Sequence, residues 1–150
     1  MAGGAMQNYF LHATARVTAE HHKILGGEAG KPQNLLSNGE EHWNKWCAPD
    51  HNRSWVEIEF AERLQFRGIT FKSAGDKPRM SPTEVRVWQF HPLEGGWREI
   101  AFRQLDFMMR NWHKTTFPEI HGDTKRVRFD FANTRGKEGV QLGEIIFHHF

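Results

Sequence analysis

The chain has 150 residues, the length of one domain with room for a sizeable core. Charged residues make up 25% and hydrophobic ones 38%, the balance of a folded globular protein and not of a disordered one. Net charge is +2, and the basic residues lie scattered among acids, as in RSWVEIEFAERLQFR, so no basic stripe marks a nucleic-acid partner.

Taken in chain order, residues 1–12, opening MAGGAM, are expected to be a flexible lead-in, natural or added, ahead of one domain over 13–150. They carry no basic-then-apolar signal pattern, and no run reaches the roughly 18 apolar residues of a membrane helix. Cys47 is the only cysteine, which rules out an internal disulfide. Together these features fit a reducing compartment such as the cytoplasm, or a secreted module that does without bridges, and point away from a membrane partner.

Period-two alternation dominates the remainder of the chain. A strand is expected over 13–20, then a turn of helix over 32–36. SWVEIEF alternates Val56, Ile58 and Phe60 with Glu57 and Glu59, and GITFKS alternates in the same way. TEVRVWQF comes next, then weaker strands over 97–102 and 113–117 around a second helical turn over 107–112. The clearest strand is 125–131, where Val127, Phe129 and Phe131 alternate with Arg126, Arg128 and Asp130; the last spans 139–149. SNGE, APDHN, AGDKP, EGGW, HGDT and NTRGKEG separate them as turns. The pattern predicts an all-β sandwich of about eight antiparallel strands, each with one apolar face. Val56, Ile58, Val85, Val127 and Phe129 are the expected core.

Catalytic motifs are missing. His21-His22 and His148-His149 are dense, but neighbours on a strand face opposite ways and do not readily chelate one ion. HExxH is absent, and one cysteine cannot build a cysteine zinc cage. Cys47 with Asp50 and His51 matches no thiol-nucleophile signature, and a free cysteine is ordinarily a small buried hydrophobe. GGEAG lacks the spacing of a phosphate loop. Trp43 and Trp112 stand in polar, turn-like surroundings. They suit stacking on a sugar or anchoring a protein, or else they cap the sandwich end. Glu144 raises a question, since VQLGEIIF surrounds its carboxylate with apolar residues. It must be solvated, paired or bound.

The order ATARVTAEHH, PQNLLSNGEEHWNKWC, SWVEIEF, FRGITFKSAGDKPRMSPTEVRVW, KRVRFDF and VQLGEIIF resembles the discoidin, or coagulation-factor C-type, family of galactose-binding-like domains. The resemblance runs from about Ala13 to Phe150. It implies a jelly-roll β-sandwich that binds ligands without catalysis, through loops at one end, here 21–31, 37–45, 74–81 and 133–139. Carbohydrate is the ligand most typical of the family, and His42, Trp43, Arg79 and Arg135 occupy the comparable loops. The alternative it implies is an intracellular protein-interaction subunit, of the kind found in ciliary-transport or DNA-repair assemblies. It also implies one structural calcium ion held by Glu144 with Asn38, Glu41 and Asn44. The sequence departs from that pattern at Ser37, where an aspartate is usual, at Asn44, where a threonine is usual, and in a longer loop. Either Glu40 or Glu41 then replaces the missing carboxylate, or Glu144 pairs with a basic side chain or with loop amides.

Overall fold

The structure, a computed structural model, describes residues 4–5, 8–37, 39–41 and 43–149. Its strands are β1 (Gly4–Ala5), β2 (Arg16–Ala19), β3 (Trp46–Ala48), β4 (Arg53–Lys72), β5 (Glu84–His91), β6 (Gly96–Gln104), β7 (Lys114–Ala132), β8 (Val140–Leu142) and β9 (Glu144–His149). Helix α1 (Asn8–Thr14) precedes β2, and 3-10 turns form at Pro32–Leu36 and Pro78–Met80. No helix among the described residues is long and apolar enough to cross a membrane.

The alternating segments become strands as expected, but β4 and β7 are 20 and 19 residues long and each joins two segments that the sequence reads as separate. Their halves belong to different layers. The first half of β4 lies between β2 and the second half of β7, which continues to β5 and β6. The second half of β4 lies between β9 and the first half of β7, and β1 extends β9. Register shifts between Glu59 and Leu64 and between Arg67 and Ile69 bend the strands from one layer into the other, the usual corner of a two-layer sandwich. Gly68 sits in the second bend at φ 118°, a left-handed value that a side chain would strain.

Because strand side chains alternate, every second residue of the first layer points inward. Val56, Ile58, Val85, Val87, Val127 and Phe129 have no exposed surface. They meet Ile69, Phe71, Ile145 and Phe147 from the second layer. Rings lock the layers together: Phe71 lies edge-on to Phe129 at 5.7 Å and to Phe131 at 5.9 Å. On the outward face of the first layer, arginines pair with acids and stack on rings. Arg128 lies 4.9 Å from Trp55, and Arg126 lies 4.8 Å from Phe90 and 5.0 Å from Trp97.

Two local expectations change. Residues 107–112 form no helix: Met108, Met109 and Trp112 adopt φ of 55°, 53° and 55°, which makes successive left-handed turns. Leu11, on α1, is buried against the core, so packing begins inside the segment expected to be a lead-in.

Candidate ligand-binding loops

Strand directions gather 20–45, 73–83, 105–113 and 133–139 at one end of the sandwich. The loop over 37–45 is closed by its own polar side chains. Asn44 donates from Nδ2 to Ser37 Oγ at 2.9 Å, and its Oδ1 accepts the Glu41 N–H at 2.8 Å. Gly39 permits this fold-back, since a Cβ there would meet Asn44 Oδ1 at 2.7 Å. Buried Asn34 holds the base of the loop by donating to the carbonyls of Trp43 and Lys45, both at 3.0 Å. Lys45 then fastens the loop to its neighbour: its buried Nζ lies 2.8 Å from Asp76 Oδ1. Trp43 stands on this loop with 39% of its surface exposed.

Arg79 and Arg135 come together on the next two loops. Buried Asn133 donates to the carbonyls of Arg79 at 2.8 Å and Gly139 at 2.7 Å. Arg135 Nη1 donates to the Ser81 carbonyl at 2.7 Å and to the Arg79 carbonyl at 3.2 Å. The Arg79 guanidinium remains largely exposed and donates to Glu138 Oε1 at 3.2 Å. Partial burial, and then the neighbouring Arg79 charge, lower the Arg135 pKa, while Asp106 opposes the shift. Two cationic guanidiniums therefore sit on one hydrogen-bonded platform. Asn133, which holds that platform, was not singled out by the sequence; the NTRG turn was its only signal. His42 and Asn38 lie outside the described residues.

Glu144 finds a basic side chain. Lys72 ends β4 and Glu144 opens β9, and the two are paired directly in the sheet. Lys72 Nζ lies 3.0 Å from Glu144 Oε1 and 3.2 Å from Glu40 Oε2, and both members of the strand pair are buried. The Trp112 ring covers the ammonium with its centroid 5.2 Å away. That ring lies so close over Gly75 that a Cβ there would clash with it. A calcium ion takes about six to eight oxygens at roughly 2.3–2.6 Å. The described residues do not fit that set. Glu144 is shared with an ammonium, Asn44 is spent on closing its loop, and Glu41 is exposed. No cluster of three or more His, Cys, Asp or Glu suited to a metal ion occurs among the described residues.

The other groups singled out by the sequence lie away from these loops' side-chain pairs or are buried. Cys47 is buried on β3, and burial raises its pKa, the wrong direction for a thiolate nucleophile. His51 stacks flat on His21 with centroids 3.5 Å apart. A cleft of about 460 Å³ between Phe90, Leu93 and the Arg63–Asp123 pair lies beside the β5–β6 hairpin, at the other end of the sandwich.

No family model matches the chain, and no curated protein matches it by sequence. Solved structures do match. A family 32 module from Clostridium perfringens, in complex with GalNAc-β-1,3-galactose, superposes with a TM-score of 0.77 at 12% identity, covering 98% of this chain and 100% of that one. The family 32 module of C. perfringens NanJ, in complex with galactose, gives 0.75 at 9% identity over 98% and 99% of the two chains. The family 32 carbohydrate-binding module of Streptococcus pneumoniae EndoD gives 0.70 at 14% identity over 91% and 96%. The chain shares the β-sandwich fold of these modules. Those neighbours are carbohydrate-binding modules. The loops that carry Trp43, Arg79 and Arg135 share the end of the sandwich at which the sequence resemblance leads one to expect ligands.

Proposed function

We propose that this domain is a non-catalytic carbohydrate-binding module that holds a glycan on the loop end of the sandwich. The observation that carries the reading is the joint presentation of Arg79 and Arg135 on the platform built by Asn133, next to the loop that exposes Trp43. A guanidinium offers several parallel donors to neighbouring sugar hydroxyls, and an indole face packs on ring C–H groups. Arg79 is the contact residue with the freer guanidinium. Arg135 has Nη1 committed to carbonyls and chiefly shapes the site. His42, on the Trp43 loop, is a further candidate. The discoidin-type fold, shared with modules in complex with galactose and GalNAc-galactose, supports the ligand class.

The rival reading, a protein partner docked on a sheet face, calls for a flat apolar patch. On the outward face of the first layer the arginines already cover Trp55, Phe90 and Trp97, so that face offers charged, self-paired side chains instead. Calorimetric titration with galactose, GalNAc and N-acetyllactosamine, followed by a wider glycan array, tests the proposal. Arg79→Ala and Trp43→Ala should each weaken binding about tenfold or more, the effect of losing a hydrogen bond to a charged group or a stacked ring. Absence of glycan binding across the array, with the protein folded, would overturn it.

A further inference from the structure

We propose that the Lys72 ammonium is the resident cation at Glu144, built into the chain in place of a metal ion, and that it fastens the Trp43 loop to the sheet. The strand pairing makes this position compulsory. Lys72 and Glu144 are direct neighbours at the ends of β4 and β9, so their side chains leave the sheet on one face whatever the loops do. Nζ then lies 3.0 Å from Glu144 and 3.2 Å from Glu40, bridging the sheet to the loop over 37–45. With only 3% of its side chain exposed, Lys72 is held away from water by Trp112. A divalent ion bound to the same carboxylate would stand within about 5 Å of the ammonium, where little solvent screens their repulsion. Two side-chain oxygens of the loop are already engaged: Glu40 Oε2 by Lys72, and Asn44 Oδ1 by the Glu41 amide.

Lys45 repeats the device. Its buried ammonium joins the same loop to Asp76, and Gln141 holds the Asp76 carbonyl from β8 at 2.7 Å. Among the described residues, the two ionic fastenings of this loop are thus lysine–carboxylate pairs. An ion would come and go with its concentration, whereas an ammonium stays attached to the backbone. Loop order in this domain is therefore independent of metal and dependent on Lys72.

Stability is the primary readout, so the test stands even if the ligand is not a glycan. The protein is freed of metal, checked by mass spectrometry, and melted with EGTA, with millimolar calcium and with neither. The melting temperature of the unaltered protein should agree across all three. Lys72→Met preserves side-chain length but strands a buried carboxylate. Its melting temperature should fall by about 6 °C or more, the scale for breaking a buried pair in a domain of this size. Adding Glu144→Gln to Lys72→Met should recover much of that loss, because the stranded charge is its cause. Calcium stabilisation of the unaltered protein that vanishes in Glu144→Gln would overturn the proposal. So would a Lys72→Met melt within about 2 °C of the unaltered one. If Lys72→Met does not fold, the three-condition melt and the Glu144→Gln control still decide the question.

Discussion

Phe129→Ala tests the two-layer core directly. Phe129 has no exposed surface and meets rings from both layers: Phe131 stacked at 5.8 Å, Phe71 edge-on at 5.7 Å and Phe147 tilted at 6.2 Å. Truncating a buried phenylalanine costs about 3–5 kcal/mol through lost transfer energy and the cavity left behind. Three ring contacts, each of the kind worth about 0.5–1.5 kcal/mol beyond area, place the loss in the upper half of that range. The cavity cannot collapse easily, because its walls are strand backbones pinned by β4, β5 and β7 pairing. A loss of about 4–5 kcal/mol consumes much of the roughly 5–15 kcal/mol by which a domain is stable. At about 2–4 °C per kcal/mol for this size, the melting temperature should fall by roughly 8–20 °C. Urea unfolding gives the number directly, provided that the slope is unchanged. Phe102, partly exposed under Arg86, serves as the control and should cost far less when truncated. A Phe129→Ala loss below about 1 kcal/mol would refute the assignment of this face to the core.

Two further outcomes rest on a half-buried histidine and a buried cysteine. Burial, then the Lys114 and His149 charges, lower the His148 pKa, and its Nε2 lies 2.6 Å from Thr70 Oγ1. The unfolded chain therefore takes up this proton first, near its ordinary value of about 6.5, so stability is complete above that pH and declines as pH falls below it. His148→Gln should flatten the pH dependence of the melting temperature below pH ~6.5, and an unchanged slope would remove His148 as its source. Cys47 is 1% exposed with its pKa raised by burial, so iodoacetamide at mildly alkaline pH should label it only after denaturation. Rapid labelling of the native protein would mean that β3 and β8 do not cover it.

Much of the sandwich was legible because alternation is a local signal. Val56, Ile58, Val127 and Phe129 announce their face through their immediate neighbours, and the structure buries them all. The joins inside β4 and β7 were not legible. AERLQFR reads as a polar gap, yet there β4 leaves one layer for the other, and Phe66 in that gap is buried. A corner exposes both faces of a strand over a few residues, so the period-two signal fades where the strand continues. The turns at Met108, Met109 and Trp112 were hidden for a different reason. Left-handed backbone ordinarily calls for glycine or asparagine, and here methionine and tryptophan adopt it: the Asp106 carboxylate accepts the Met108 N–H within the turn, and the Trp112 N–H donates to the Ala74 carbonyl.

The loop end shows most clearly where sequence patterning stops and pairing takes over. Glu144 was conspicuous because a carboxylate stood among apolar residues, and a basic side chain was among its possible partners. Which one could not be read, because in GITFKS the period assigns Lys72 to the side away from Ile69 and Phe71, where solvent is the ordinary surrounding. The β4–β9 register makes it otherwise: Lys72 lies opposite Glu144, and the Trp112 ring closes over the ammonium. Arg79 and Arg135 obey the same logic, meeting only because Asn133 and the Ser81 carbonyl draw two distant loops together. In each case the chemistry belongs to a pair, and a pair is specified by strand register, a long-range property with no local period to betray it.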